Sequence, residues 1–309
     1  MTTPDSRSAE LRQRLTGPIP SLKTPFLRDG AVDYAGLRRL IDFNLAAGAR
    51  ALMLTAGDSH YVALTEREIA EVTRVTVEHT AGRALVIAAD RYYHTTQAVD
   101  FARFARDTGA DVLMVMPPDW GGSCTPRSLV EHYRQVGEVM PVMLVTNVFI
   151  ARGQKFGLET IALVRDAVPN VVAVKDDMIG EFARKMALLV HGRWAVISGG
   201  QKQNHLLTHP YGCDGYLSTL ISLRPAIAWA YWDAITRGDL AAARDIIRDY
   251  DFPFFELVMG LPGGFNAGIQ ALHELTGVAG RWRRPPYHSL TDEQFAGLRD
   301  GLQRLRLLP

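Results

Sequence analysis

Cysteine is scarce in this 309-residue chain, which contains only Cys124 and Cys213. Two cysteines are too few for a disulfide framework, and neither lies at a spacing typical of metal ligands. Their scarcity favours a reducing, cytoplasmic setting. The first 14 residues also lack the apolar core that a signal peptide or a membrane anchor requires, so we interpret residues 1–16 as a flexible or loosely helical leader.

An excess of charge of either sign is also missing. The chain has 34 Lys and Arg residues against 33 Asp and Glu residues, spread along its length, for a net charge of +1. This balance argues against nucleic acid and against an anionic membrane as partners. Only five of the basic residues are lysines, which leaves few candidates for an amine nucleophile.

Eight short apolar runs, rich in β-branched residues, alternate with longer stretches of helical period. The runs lie at 18–24, 51–55, 85–89, 111–116, 142–147, 171–175, 195–198 and 215–218. This alternation is typical of parallel βαβ units and predicts an α/β fold, a (β/α)8 TIM barrel, whose active sites lie at the carboxyl ends of the strands. A doubly wound open sheet is the alternative, but no glycine-rich phosphate-binding turn follows any run.

Helix signals fill the stretches between these runs. Thr65 and Glu68 form the S/T-x-x-E pattern of a capping box at the start of one helix. Other helices are predicted at 34–47, 95–108, 126–139, 158–167, 179–190 and 224–237, with a short connection at 202–211. We therefore expect a barrel at 17–238, and we expect residues 239–309 to form a three-helix extension packed on it.

The run from Val171 to Asp177, VVAVKDD, places Lys175 where a buried parallel strand ends. A lysine at such a place is partly desolvated, which keeps a fraction of its amine unprotonated at neutral pH and able to attack a carbonyl. The alternative is a structural lysine paired with Asp176 or Asp177. Position alone does not choose between these readings.

Other candidate motifs are less specific. A Thr-x-Gly turn at Thr55 and a Gly-Gly turn at Gly199 and Gly200 follow predicted strands, where hydroxyl and backbone N–H groups are suited to hold a carboxylate. His205 and His209 are spaced one helical turn apart, but no third ligand accompanies them, so no metal is expected. The G-x-S-x-G elbow of hydrolases is absent.

In combination, these landmarks resemble the dihydrodipicolinate synthase and N-acetylneuraminate lyase family of class I, Schiff-base-forming aldolases and dehydratases, from about residue 17 to residue 305. The run LKTPF is similar to the family's T-P-F opening, and Thr55 to Asp58, TAGD, resembles its T-T-G-E motif. Lys175 falls at the family's Schiff-base position. The resemblance implies a TIM barrel, a proton-relay role for Thr55, and a homodimer or homotetramer.

The resemblance fails at the proton relay. Thr146 stands where family members commonly have a tyrosine that acts as general acid and base, and a threonine hydroxyl is far less acidic than a phenol of pKa about 10. The turn that carries a second relay tyrosine reads PPDW here, and Ala56 replaces the second threonine of T-T-G-E. The arginine for a second carboxylate would fall near Ala151, beside Arg152. These losses argue against condensation of pyruvate with aspartate semialdehyde and against ordinary sialic acid cleavage.

Two loops that are longer than the family pattern bring new candidates for the missing acid and base. They contribute His60, Tyr61 and Asp119, and Tyr93 follows the third strand. We therefore expect Lys175, Thr55, Asp119, Tyr61 and Tyr93 to be catalytic. The residues expected to bind the substrate are Ala56, Gly57, Asp58, Thr146, Asn147, Gly199, Gly200, Leu217 and Ser218.

The sequence thus predicts a lyase that acts on a small 2-oxo acid, either a pyruvate-dependent aldolase or a dehydratase of a deoxy-2-oxo sugar acid. No cofactor is expected, because the protonated imine is itself the electron sink. The competing interpretations are a homologue that binds 2-oxo acids without catalysis and a dihydrodipicolinate synthase-type condensation with a rearranged proton relay.

Overall fold

The computed structural model describes residues 6–308, and eight parallel strands alternate with helices along them. The strands are β1 (Gly17–Ile19), β2 (Ala51–Met53), β3 (Leu85–Ala89), β4 (Val112–Val115), β5 (Val142–Val145), β6 (Val171–Asp176), β7 (Ala195–Ser198) and β8 (Gly215–Leu217). The predicted (β/α)8 TIM barrel is confirmed.

A helix occupies each stretch that was predicted to be helical. The helices are α1 (Ser6–Arg14), α2 (Tyr34–Ala46), α3 (Glu66–Thr80), α4 (Thr95–Thr108), α5 (Pro126–Gly137), α6 (Gly153–Ala167), α7 (Gly180–Val190), α8 (Gln201–Thr208), α9 (Pro225–Thr236), α10 (Leu240–Ile246), α11 (Phe252–Met259), α12 (Gly264–Leu275) and α13 (Asp292–Arg304). Of these, α1 and α8 form where a leader and a short connection were expected. A π-helical turn, Ile247–Asp251, joins α10 to α11. Within residues 6–308, no helix combines the length and the apolar character that crossing a bilayer demands.

By the density of their contacts, the residues divide into two compact units. The first unit comprises the described residues up to Ile19 together with Leu85–Leu217, and the second comprises Pro20–Ala84 and the described residues from Ser218 onward. The expected division into a leader, a barrel and a C-terminal extension stays a prediction. Residues 1–5 of that leader lie outside the described residues.

The first unit is built on seven parallel strands in the order β1-β8-β7-β6-β5-β4-β3. Val145 pairs with Lys175, and Lys175 pairs with Ile197, so the strand that carries the lysine lies between two others. Every residue of these strands is buried. Because neighbouring strands are parallel, the residues that follow β5, β6 and β7 emerge at one edge of the sheet. This edge holds the candidate site.

The second unit contains β2, α2, α3 and the helices from α9 to α13. Ser21 pairs with Met53 in parallel, although β1 has already ended at Ile19 because Pro20 offers no N–H to continue the ladder. The predicted capping box is confirmed, since the Thr65 hydroxyl accepts a hydrogen bond from the Glu68 N–H and the Glu68 carboxylate accepts one from the Thr65 N–H. A core around Phe254, Leu272 and Leu298 joins the C-terminal helices.

Several boundaries differ from the sequence expectation, and the largest difference in a strand is at β1, which ends at Ile19 instead of residue 24. The fifth strand ends at Val145, and Thr146–Phe149 form a 3₁₀ turn instead of extending the strand. Helix α6 begins at Gly153, five residues before the predicted start at 158, since the polar residues that precede Leu158 form its first turn. The early strand end places the Thr146 side chain in the turn, where it makes the contacts described below.

Candidate active site

Lys175 lies at the end of β6 and is buried. Its Nζ atom donates hydrogen bonds to both carboxylate oxygens of Asp177, at 2.5 and 2.6 Å. Of the two partners that the sequence left open, the structure therefore selects Asp177. This ion pair is the contact that the structural interpretation of Lys175 predicts.

Thr146 organises the turn that presents Asp177. Its buried hydroxyl donates to Oδ1 of Asp176 at 2.9 Å and accepts from the N–H groups of Asp177 at 2.8 Å and Met178 at 3.2 Å. With these three contacts, the hydroxyl is fully engaged. The residue at the position of the family's tyrosine therefore fixes a turn, and its hydroxyl proton is committed to a neighbouring carboxylate.

Asp176 closes the same turn from the other side. It is 2% exposed, and its carboxyl group accepts hydrogen bonds from Thr146 and from the N–H groups of Met178 and Ile179. Burial raises the pKa of Asp176, although these hydrogen bonds act in the opposite direction. Its contacts make it a structural cap for the turn, whereas Asp177 faces the amine.

Gly199 leaves the space that Asp177 occupies. A Cβ atom added at Gly199 would lie 1.9 Å from Oδ1 of Asp177 and 2.8 Å from the carbonyl oxygen of Asp176. The Gly199 N–H also donates to that carbonyl oxygen at 2.7 Å. Any side chain at this position would push the Asp177 carboxylate away from Lys175. The adjacent Gly200 is similarly crowded by Asn204.

Asp119 is paired with Arg152. The guanidinium donates to Oδ2 of Asp119 and to the carbonyl oxygen of Cys124, and the Cys124 N–H donates to Oδ1 of Asp119. Partial burial alone would raise the pKa of Asp119, but the Cys124 N–H and the guanidinium hold it below its usual range. An ionised carboxylate held in this way is a poor proton donor at neutral pH. Arg152 also lies 3.8 Å from the ring centroid of Phe156, so it is not free to bind a second substrate carboxylate.

Several buried polar atoms of the first unit have no hydrogen-bond partner among the described residues, and three of these lie at or just after the carboxyl ends of strands. They are Oγ of Ser198, Oδ1 of Asn147 and Oδ2 of Asp90. Ser198 pairs with Asp176 across the sheet, and Asn147 follows Thr146 in the turn, so both belong to the edge that carries Lys175. Leaving a buried polar atom unpaired is costly, which makes both atoms candidates for substrate contacts.

Asp90 follows β3 and is fully buried, with Oδ1 accepting from the Met116 N–H at 2.9 Å. Burial raises the pKa of Asp90 well above its usual range, against the opposing effect of backbone hydrogen bonds. Sequence reasoning did not select Asp90.

Tyr93, which sequence reasoning did select, is buried and forms an edge-type ring contact with Phe101, at a centroid distance of 5.6 Å. Leu217 ends β8 and is buried.

In the second unit, Thr55 begins a tight turn after β2. Its hydroxyl oxygen accepts from the Asp58 N–H at 2.9 Å, and its own N–H donates to Oγ of Ser59 at 3.0 Å. Ala56 is buried within the turn, while a Cβ atom added at Gly57 would meet nothing within 4 Å. Ser218, in the same unit, accepts from the Ile221 N–H at 3.3 Å. The turn at Thr55 thus has an internal hydrogen-bond frame of its own.

Asp58 and His60 have buried partners in the second unit. Asp58 lies 3.0 Å from Nζ of the buried Lys23, and Nε2 of His60 lies 3.2 Å from Oε1 of Gln270. Burial lowers the pKa of His60 to about 4, and the nearby positive charges of Lys23 and Arg283 add to this effect. His60 is therefore a neutral imidazole at physiological pH. Tyr61, the next residue, is completely buried.

A model of the Dihydrodipicolinate synthetase family matches residues 14–305. The chain belongs to the dihydrodipicolinate synthetase family. A relative in that family, 4-hydroxy-tetrahydrodipicolinate synthase of Psychrobacter arcticus, is 28% identical over 97% of this chain and 98% of its own. The chain is also similar to probable 5-dehydro-4-deoxyglucarate dehydratase 2 of Streptomyces avermitilis, at 29% identity over 90% of this chain and 82% of that one.

The fold has a solved counterpart in N-acetylneuraminate lyase from Fusobacterium nucleatum. The TM-score is 0.84, over 96% of this chain and all of that one, at 16% identity. This likeness bears on the fold alone. The family model confirms the family membership that the sequence predicted, and the two relatives named above carry the names of enzymes.

The geometry groups some of the expected residues and adds others. Around Asp177 it brings together Lys175, Thr146 and Gly199. Asp119 stands apart from this group, because its hydrogen bonds are with Arg152 and Cys124. Sequence reasoning considered Asp177 only as a structural partner of the lysine and did not select Ser198. The available signal for Asp177 was its position two residues after the lysine, at the end of a buried strand.

Proposed function

We propose that this chain is a lyase that forms an imine between Nζ of Lys175 and the carbonyl carbon of a 2-oxo acid. The observation that carries the proposal is the burial of Lys175 at the carboxyl end of β6, the strand end where barrel enzymes hold their active sites. The fixed turn around Asp177 supports a role beyond charge balance, because it holds a base against the amine.

In the proposed reaction, Asp177 first accepts a proton from the Lys175 ammonium. The nitrogen lone pair of the neutral amine then attacks the 2-oxo carbon. The carbonyl oxygen takes up two protons and leaves as water, and a protonated imine remains. That imine draws electrons from the neighbouring carbon atoms. It therefore permits either cleavage of the C3–C4 bond, which releases an aldehyde, or loss of a C3 proton followed by departure of a hydroxyl group as water.

We assign substrate binding to residues that have a buried polar atom without a partner, or that are glycines where another group approaches the backbone closely. Asn147, Ser198 and Gly199 belong to the Lys175 edge and would contact the substrate directly. The carboxylate-binding role of Thr55, Ala56, Gly57 and Asp58 is carried over from the family resemblance and stays a prediction.

The source of the remaining proton transfers is also part of the proposal. The ion pair with Arg152 argues against Asp119 as the acid, and the engaged hydroxyl argues against Thr146. Tyr93, Tyr61 and a neutral His60 stay candidates. Each can be replaced singly, with adduct formation at Lys175 as the control, and a catalytic role requires slower turnover while the adduct still forms.

For the substrate, we propose a pyruvate-releasing aldolase or a dehydratase of a deoxy-2-oxo sugar acid. The relative named 5-dehydro-4-deoxyglucarate dehydratase supports the second option by analogy. The occupied Arg152 and the absent relay tyrosine weigh against the synthase reaction. A cytoplasmic location and assembly into dimers or tetramers complete the proposal. The location rests on the low cysteine content, and the assembly rests on the family resemblance.

The test is intact mass after incubation with pyruvate and then borohydride. A single adduct is expected on the wild-type protein, and it should disappear in Lys175→Ala while persisting in Lys185→Ala, whose lysine is exposed and paired with Glu181. An adduct that survives in Lys175→Ala would refute the assignment. Adduct formation without turnover of any 2-oxo acid would favour the non-catalytic binding homologue.

A further inference from the structure

A group of buried basic side chains lies in the second unit, where the proposed reaction does not use them as a group. It consists of Lys23, His60, His273 and Arg283, which we call the basic cluster. Their exposures are 4%, 4%, 6% and 9%. Lys23 and Arg283 both act electrostatically on His60, and Lys23 and His60 both act on His273, so we treat the four side chains as one group.

The positive charges of the cluster are only half compensated. Lys23 has a carboxylate partner, Asp58, at 3.0 Å. Arg283 has none among the described residues: its polar contact through the side chain is one hydrogen bond from Nη1 to the carbonyl oxygen of His288 at 3.3 Å. Its guanidinium also packs 4.9 Å from the ring centroid of Tyr287. A buried guanidinium without a counter-charge is strongly unfavourable.

Two nitrogen atoms of the cluster are buried without a hydrogen-bond partner among residues 6–308. They are Nε of Arg283 and Nδ1 of His273. Buried N–H groups are almost always paired, so the unpaired Nε–H of Arg283 is a donor that calls for an acceptor from outside the protein. An acceptor with negative charge would satisfy both the unpaired donor and the excess charge.

The histidines do not supply that charge balance. Burial lowers the pKa of His60 to about 4 and that of His273 to about 3, and the positive charge of Lys23 strengthens both effects. Gln270 accepts from His60 and donates to the carbonyl oxygen of Thr24 at 3.3 Å, so this amide is already engaged. Lys23, Arg283 and Asp58 together therefore leave one net positive charge, and the cluster offers hydrogen-bond donors.

We infer that the basic cluster is a binding site for a small oxyanion, the carboxylate or phosphate group of a metabolite. The Nε–H of Arg283 and the ammonium of Lys23 would contact its oxygen atoms. Asp58, the partner of Lys23, has a side chain that is 29% exposed, so the cluster lies close to the surface on this side. The inference does not depend on imine formation at Lys175.

Thermal unfolding with added anions tests the inference directly. Inorganic phosphate and acetate are the probes, and chloride at matched ionic strength is the control for screening. A ligand that binds only the folded protein raises Tm along a saturable curve. We expect such a curve for phosphate or for acetate beyond the effect of chloride. Equal increments from all three anions would overturn the inference.

Variants identify the site. Arg283→Met should abolish the anion-specific increment in Tm, whereas Arg299→Met, which removes an exposed charge from α13, should retain it. Lys175→Ala should also retain it, so failure of the proposed function and failure of this site give different results. Full retention in Arg283→Met would refute the assignment. If that variant does not fold, calorimetric titration of the wild-type protein with phosphate and acetate decides instead, and no heat of binding from either anion would refute the site.

Discussion

Replacing Thr146 with valine separates two roles for this position, turn organisation and proton relay. The substitution keeps the shape of the side chain but removes a buried hydroxyl that makes three hydrogen bonds. The Asp177 N–H then loses its acceptor. The Met178 N–H and the Asp176 carboxyl group keep other partners.

The expected loss in the free energy of unfolding follows from the hydrogen bonds that are lost and those that remain. One fully orphaned N–H group and one weakened carboxyl group, at about 1–3 kcal/mol for each unsatisfied buried group, give a loss of roughly 2–4 kcal/mol in the free energy of unfolding. Because the turn also holds Asp177 against Lys175, we expect the rate of imine trapping to fall by about tenfold or more, as 1.4 kcal/mol corresponds to a factor of ten.

The assays are urea unfolding and the rate of borohydride-trapped adduct formation with pyruvate. Thr146→Ser is the matched control, because it keeps the hydroxyl and should preserve most of the stability and of the trapping rate. A proton-relay role would give a different pattern: slow turnover, with normal stability and normal trapping in Thr146→Val. That result would refute the structural role that we derive.

Two further predictions concern Gly199 and Glu68. Gly199→Ala should slow imine trapping at least tenfold, since the new methyl group overlaps the Asp177 carboxylate and overpacking costs about 1–3 kcal/mol, whereas Gly297→Ala in α13 meets nothing within 4 Å and should leave trapping unchanged; equal rates in both variants would contradict the clash. The hydrogen bonds from Arg284 hold the pKa of Glu68 at about 2 in the folded protein, below the usual value of 4.5. Its stabilising effect is therefore present above pH 4.5 and is lost as pH falls towards 2, so Glu68→Gln should lower the free energy of unfolding by about 1–2 kcal/mol at pH 7 and by progressively less in acid. Unfolding in urea across this pH range checks the trend, with the exposed Glu293→Gln as control, and a deficit that does not shrink in acid would count against the ion pair.

The strands were predictable because their signal is local. Strands β3 and β7 begin and end where the apolar runs do, and the Thr65 capping box lies within four residues of sequence. The end of β5 was not predictable in this way. Thr146 has good strand propensity, but its hydroxyl is drawn into the turn after β6, and that contact depends on the register between Val145 and Lys175.

The candidate site was predictable only in part, for a similar reason. The family resemblance selects Lys175, and the position of Asp177 in the sequence makes it a plausible partner. The space that Gly199 leaves for Asp177, and the pairing of Asp119 with Arg152, depend on loops that follow different strands. The basic cluster is less accessible still to sequence reasoning, because Lys23 and Arg283 lie near opposite ends of the chain.

The hydrogen bonds between Thr146 and the turn after β6 affect which parts of the sequence can be altered without moving Lys175. Lys175, Asp177 and the groups that hold them belong to three adjacent strands and their first following residues. The loop after β4 has its own anchor, the pairing of Asp119 with Arg152. Arg152 belongs to the same connection as Thr146. We therefore expect changes in the loop after β4 to leave Lys175 and Asp177 in place as long as this pair is kept, and a laboratory search for new substrates should begin there.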